Sequence, residues 1–272
     1  MRARVIRATV TVVAAVALLA AAGCGGGGGG TETSDKASPK PKSSSSKLIG
    51  TVTVFAAASL TESFTQLGKD FDAAHPGVTT KFSFGGSSAL ATQINQGAPV
   101  DVFASAAPAN MKAVTDAGNA SGSPTTFVKN QLVIAVPKGN PKGVKSLADL
   151  AKPGTKVALC AEQVPCGAAA VKALAAGHVT LKPATLEPDV KGALTKVRLG
   201  EVDAALVYRT DVKSAASDVD GVEFPESAKA INDYPIIVLK GAPNTAAAKA
   251  FVAYVLSDKG RTVLTRAGFQ SP

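Results

Sequence analysis

The sequence predicts an α/β fold of two lobes, joined by two crossings and separated by a ligand cleft. Three observations predict it. Strand-like and helix-like segments alternate from Thr51 to Ala267, the pattern of a mostly parallel sheet with covering helices. Two apolar strands bounded by breakers, Gln131–Val136 before Pro137-Lys138-Gly139-Asn140-Pro141 and Tyr234–Leu239, cut that series into three segments. The folded part, from about Leu48 to Pro272, is long enough for a sizeable core.

The elements follow in order. Thr51–Phe55 reads as a strand. Ser59–Ala74 carries Leu60, Phe64, Leu67 and Phe71 at helical spacing and stops at His75-Pro76-Gly77. Val78–Phe84 reads as a strand, Ser87–Gln96 as a helix, Val100–Ala104 as a short strand and Pro108–Ala117 as a helix closed by Gly118. After the first crossing near Asn130–Pro137 come a helix near Ser146–Ala151, a strand at Lys156–Ala161 and a helix at Gly167–Ala176. A helix at Val190–Leu199, a strand at Ala204–Tyr208 and a short helix from Thr210 complete that lobe. The second crossing falls near Asp233–Leu239, and the helices Thr245–Leu256 and Gly260–Ala267 return to the first lobe. The expected division is 48–129 with 237–272 for the first lobe and 130–236 for the second.

The chain opens with an export signal, residues 1–23. Arg2, Arg4 and Arg7 precede the apolar Val10–Ala22, which is short for a membrane span. Ala21-Ala22-Gly23-Cys24 resembles a bacterial lipobox, with Leu19 lying two places too far from the cysteine. On that reading Cys24 becomes the first mature residue and carries lipid. A plain signal peptide cleaved near Ala22, leaving Cys24 a free thiol, is the alternative. Residues 24–47 are an anchor and linker, rich in Gly, Ser and Lys-Pro, that cannot bury enough apolar surface to fold. Such a tether spans roughly 25–30 Å on average.

The formal net charge is +9. The three signal arginines, in a stretch without acids, account for part of it and leave +6. The lysines are scattered and only 5% of residues are aromatic, so no aromatic-interleaved basic stripe suggests nucleic acid. A mildly basic surface suits a protein that collects an anion near anionic lipid. Cys160 and Cys166 belong to an exported chain, which points to a disulfide. Metal binding is the rival reading, with only His75 and His178 to complete a ligand set.

Two serine segments carry most of the functional signal: Ala56-Ala57-Ala58-Ser59-Leu60-Thr61-Glu62 and Gly85-Gly86-Ser87-Ser88-Ala89-Leu90. Each follows a strand and opens a helix. A helix start presents unpaired N–H groups and the positive end of a dipole, which suit an anion. Gly85–Val100 holds no charged residue, and none flanks Ser59 before Glu62. Two such starts with hydroxyls can hold a small, fully ionised oxyanion without a cationic side chain.

Several blocks in succession resemble the molybdate-binding proteins of bacterial ABC importers. They are Val52-Thr53-Val54-Phe55-Ala56-Ala57-Ala58-Ser59-Leu60-Thr61, Gly97-Ala98-Pro99-Val100-Asp101-Val102-Phe103-Ala104-Ser105-Ala106 and Glu162-Gln163-Val164-Pro165-Cys166-Gly167. Pro188-Asp189-Val190-Lys191-Gly192-Ala193-Leu194, Ala205-Leu206-Val207-Tyr208 and Ala267-Gly268-Phe269 follow. The resemblance covers the chain after the linker. It implies a two-lobed type II periplasmic-binding-protein fold that closes on molybdate, and often tungstate. It assigns the ligand to the hydroxyls and amides of Ser59 and Ser87, the amides of Cys166 and Val190, and the hydroxyl of Tyr208. Relatives often carry alanine at the Cys166 position, a change that a backbone contact tolerates. It further implies a monomer without cofactor or catalytic residues, handing the oxyanion to an ABC permease with its cytoplasmic ATPase, on the outer face of the cell membrane.

Each residue also has a plainer reading. Ser59 and Glu62 fit a capping box, Ser87 an N-cap, and Tyr208 a boundary aromatic with its hydroxyl in solvent. Asp101 reads as an acceptor for backbone amides, since a carboxylate repels a dianion. Asp189 and Lys191 tune the local field, His75 sits in an exposed loop, and His178 lies just past a helix end. Other functions compete: a binding protein specific for tungstate or sulfate, an extracytoplasmic sensor, or a serine hydrolase. The hydrolase needs a base beside its nucleophile, and neither histidine lies in a convincing motif.

Overall fold

A computed structural model describes residues 47–272. The expected export signal, the Cys24 lipid site and the linker up to Ser46 lie outside the described residues. No described helix is long and apolar enough to cross a membrane.

Among the described residues, ten strands form two five-stranded sheets. The first contains β1 (Gly50–Ala57), β2 (Val78–Gly85), β3 (Val102–Ala104), β4 (Thr125–Asn130) and β10 (Asn232–Val238), in the order β2-β1-β3-β10-β4. The second contains β5 (Leu132–Pro137), β6 (Val157–Cys160), β7 (Thr185–Glu187), β8 (Ala204–Tyr208) and β9 (Val219–Val222), in the order β7-β6-β8-β5-β9. In each sheet four strands run one way and a single strand runs against them, β10 in the first and β5 in the second. The chain crosses between sheets at Gln131 and again between β9 and β10.

Helices α1 (Thr61–Ala74), α2 (Ser87–Asn95), α3 (Pro108–Asp116), α7 (Thr245–Leu256) and α8 (Asp258–Ala267) pack on the first sheet; α4 (Pro165–Ala176), α5 (Val190–Arg198) and α6 (Arg209–Ser214) belong with the second. Phe64, Leu67 and Phe71 of α1 join Phe251 and Val255 of α7 on one face of the first sheet. Leu90 and Ile94 of α2 cover the other face with Phe103 and Ile237. The second lobe has its own core around Leu132, Ile134, Val157 and Leu206. Ala58, a first-lobe residue, packs into that second core, so the lobes stand closed on each other.

The structure corrects several expectations. The second boundary comes earlier: β10 lies wholly in the first sheet from Asn232, where 237 was expected, because Asn232 and Asp233 already pair with Asn130 and Lys129. Asn130 likewise ends a first-sheet strand. Strands β4, β7 and β9 carry too little apolar alternation to stand out in sequence. The helix expected near Ser146–Ala151 is a 3-10 turn, Ala148–Ala151. Asp149 Oδ2 takes the N–H groups of Lys145 and Ser146, and Pro153 prevents continuation. Helix α1 begins at Thr61, after a 3-10 turn at Ala58–Leu60.

Candidate functional site

The registers bring the strand ends together. Ala57 pairs with Gly85, and Ala56 with both Phe84 and Ala104. The turns that follow β1, β2 and β3 therefore leave the first sheet side by side. In the second sheet Cys160 pairs with Glu187, which sets the starts of α4 and α5 together. Carboxyl ends of parallel strands are where open α/β sheets take ligands.

These turns enclose one small cavity of about 10 Å³ between the lobes. A volume with room for about one water-sized group suits a single small ion, not a sugar or peptide. Ser59, Ser87, Cys166, Val190 and Tyr208 all line it, and each is at most 4% exposed. The structure thus brings together every residue singled out as a ligand contact.

Four helical starts converge on this cavity: the 3-10 turn at Ala58, α2 at Ser87, α4 at Pro165 and α5 at Val190. At the first three no side chain caps the free N–H groups. At α5 Asp189 Oδ1 accepts from Gly192 N at 3.0 Å, three residues in, and leaves the earlier amides open. No Lys or Arg lines the cavity among the described residues. Its positive potential comes from peptide dipoles and hydroxyls.

The hydroxyls are held from behind. Ser87 Oγ accepts from Ala106 N at 3.0 Å. Ser59 Oγ lies 2.9 Å from Tyr234 Oη; it does not cap α1, so the capping-box reading fails. Glu62, the other half of that box, instead meets Lys191 Nζ at 2.8 Å across the lobes. Tyr208 is buried, not a boundary aromatic, and its Oη accepts from Asn232 Nδ2 at 2.8 Å. Burial holds its pKa well above the usual phenol value, so it stays a neutral donor. Asp101 is structural, accepting from Thr53 N at 2.8 Å and Asn244 N at 2.6 Å. His75 is half-buried and packs tilted against Phe71, at 4.5 Å between ring centroids, and His178 takes φ 52° just past α4. Neither lines the cavity, so Ser59 and Ser87 have no imidazole base there.

Cys160 and Cys166 are joined in a disulfide, with Cα atoms 5.7 Å apart. It ties the end of β6 to the first turn of α4, whose amides face the cavity. Gly167 leaves no room for a side chain there, since a Cβ would sit within 3 Å of Ala161 O.

Asn232, Tyr234 and Asp211 were not singled out in sequence as site residues. Asp211 Oδ2 accepts from Tyr208 N at 3.0 Å. Its Oδ1 lies 3.2 Å from Lys191 Nζ without hydrogen-bond geometry. Burial raises Asp211 to about 6 against the opposing pull of Lys191. Burial pulls Lys191 down, but Asp211 and Glu62 outweigh it and leave the ammonium raised.

The chain matches the family model for bacterial extracellular solute-binding proteins over residues 52–270. It is 47% identical over 222 residues to the molybdate-binding protein ModA of Mycobacterium tuberculosis H37Rv, covering 82% of this chain and 85% of that protein. It is 33% identical over 232 residues to ModA of Haemophilus influenzae, covering 81% and 90%. The periplasmic molybdate-binding protein of Azotobacter vinelandii has the same fold, with a TM-score of 0.72 at 23% identity over 81% of this chain and 99% of that one.

Proposed function

Since the chain belongs to the bacterial extracellular solute-binding proteins, with ModA proteins among its relatives, we propose that it captures molybdate outside the cytoplasm and delivers it to an ABC importer. The observation that carries this reading is the convergence of four helical starts, three without side-chain caps, on a cavity without a cationic side chain. A dianion there gains charge-assisted hydrogen bonds from amides and hydroxyls in a nearly dry site.

The ligand contacts are the hydroxyls of Ser59, Ser87 and Tyr208 and the amides of Ser59, Ser87, Cys166 and Val190. Tungstate, a tetrahedral dianion of nearly the same size, binds by the same contacts. The protein needs no cofactor and turns over no substrate; it binds as a monomer, tethered by lipid on Cys24, and docks on a permease driven by a cytoplasmic ATPase.

Isothermal titration calorimetry on the full chain in detergent tests this, with molybdate, tungstate, sulfate and phosphate added in turn. The chain has no tryptophan, which makes heat the better signal. One-to-one binding of molybdate and tungstate alone is expected. Preference for sulfate or phosphate changes the cargo, and silence toward all four overturns the reading.

A further inference from the structure

Two asparagines stand opposite each other where the chain crosses between lobes. Asn130 ends β4, Asn232 begins β10, and the two are register partners. Asn232 Nδ2 lies 2.8 Å from Ala106 O, 2.8 Å from Tyr208 Oη and 3.4 Å from Pro165 O. Two of these are carbonyl oxygens, which only accept, so the atom facing them is the amide nitrogen. Tyr208 Oη is therefore the acceptor of that pair. The Tyr234 hydroxyl is the neighbouring group that could take the single proton of Tyr208, and an oxygen in the cavity competes with it for that proton.

The same arrangement recurs two residues along β10. Asn130 Oδ1 accepts from Gln131 N at 3.0 Å, which fixes the amide's orientation. Its Nδ2 donates to Thr210 Oγ1 at 2.9 Å and to Tyr234 Oη at 3.4 Å. Tyr234 Oη accepts from behind, which leaves its one proton available to Ser59 Oγ at 2.9 Å, a pair in which either hydroxyl can donate. When Tyr234 donates, Ser59 keeps its own proton for the cavity. Tyr234 and Asn232 share a face of the strand because side chains alternate.

We propose that Asn130 and Asn232 are positioning residues that fix the direction of two hydroxyl chains, Asn130–Tyr234–Ser59 and Asn232–Tyr208, so that both chains end in a donor at the cavity. The consequence is specificity. A site whose hydroxyls face the ligand as donors satisfies every oxygen of a fully deprotonated oxyanion. An oxyanion that keeps a proton finds that proton facing donors, at the cost of an unmade hydrogen bond. The inference rests on the oxyanion reading given above and adds the groups that set its selectivity.

A double-mutant cycle tests it, by calorimetry on the full chain at pH 6 with molybdate and, separately, with phosphate, which keeps protons at that pH. Asn232→Ala frees the Tyr208 hydroxyl to turn. It is expected to weaken molybdate about 10-fold, the size of one charge-assisted bond, and to narrow the gap to phosphate, which the wild type is expected not to bind. In a Tyr208→Phe background the same change is expected to cost less than about 2-fold, because its effect passes through the hydroxyl. Asn232→Asp keeps the side-chain shape and removes the donor, and serves if the alanine variant fails to fold; it is expected to cost molybdate at least as much. Wild-type affinity in both Asn232 variants overturns the inference, as does an equal loss with and without the Tyr208 hydroxyl. A wild-type chain that ignores molybdate overturns the functional reading itself.

Discussion

Gly86 of the first lobe lies so close to Pro188 of the second that a Cβ at position 86 would sit 2.4 Å from the Pro188 carbonyl oxygen. The backbone at Gly86, φ −61° and ψ 129°, is open to any residue, so the glycine answers to the opposing lobe and not to its own conformation. Gly86→Ala is expected to hinder closure and leave each lobe intact. Overpacking of this kind typically costs 1–3 kcal/mol, or about 5–150-fold in molybdate affinity. Calorimetry beside a melting curve without ligand checks it: affinity falls while the melting temperature holds. A drop in both would place the strain within a lobe.

Ser59 and Ser87 each bring a hydroxyl to the cavity from a different helical start, and each is supported by a separate partner, Tyr234 and the Ala106 amide. Their replacement by alanine is therefore expected to be close to additive. Each lost charge-assisted bond removes about 1.5–3 kcal/mol, so the double variant should lose at least about 100-fold in affinity. Titration of both single variants and the double checks it; unchanged affinity in the double variant removes these hydroxyls from the ligand set.

Cys166 reaches the cavity through its backbone, and its sulfur serves the disulfide. Cys160→Ser with Cys166→Ser is thus expected to keep the amide contact and lose the clamp. A loop this short contributes roughly 2 kcal/mol, which lowers the melting temperature by roughly 4–8 °C for a chain of this size, with molybdate affinity within about 3-fold of wild type. Abolished binding in a folded variant would mean that the clamp itself sets the amide's direction.

The strand-turn-helix segments around Ser59 and Ser87 were legible because both signals are local. Apolar runs give way to small residues, then to helical spacing, within about ten positions. The partners behind the hydroxyls were not legible. Ser59 meets Tyr234 across 175 positions, and Asn130 reaches Tyr234 across 104. No periodicity records such a pairing. Tyr234 read only as part of an apolar strand, which it is, and Asn232 stood just before the expected crossing. Strand β4 escaped because Thr125-Thr126-Phe127-Val128-Lys129-Asn130 has only two apolar side chains; its place comes from pairing with β10, a partner about a hundred residues away. Lys191 was read as tuning a local field, and its sequence neighbours give no hint that Glu62 waits on the other lobe.

That ion pair carries the last prediction. Lys191 Nζ is 2.8 and 2.9 Å from the Glu62 oxygens on the first lobe and 3.2 Å from Asp211 Oδ1 on the second. Glu62 is half in solvent, whereas Asp211 is fully buried. The two partners should therefore fail differently. Glu62→Gln removes the cross-lobe bond without stranding a buried charge, and is expected to speed molybdate release about 2- to 5-fold with the melting temperature unchanged. Lys191→Met strands Asp211 and is expected to lower stability by on the order of 3 kcal/mol at pH 7. The titration of Asp211 gives the sign against pH. Its folded value of about 6 lies above the ordinary 3.8 of an aspartate, so the folded state binds its proton more tightly. The stability this contributes is fully present below about 3.8 and is lost as pH rises through about 6. The wild type should accordingly gain stability relative to Asp211→Asn as pH falls from 7 to 4, with the difference flat above 7. Urea melts across that range check it; a difference that shrinks on acidification would mean that Lys191 holds Asp211 ionised and that burial does not dominate.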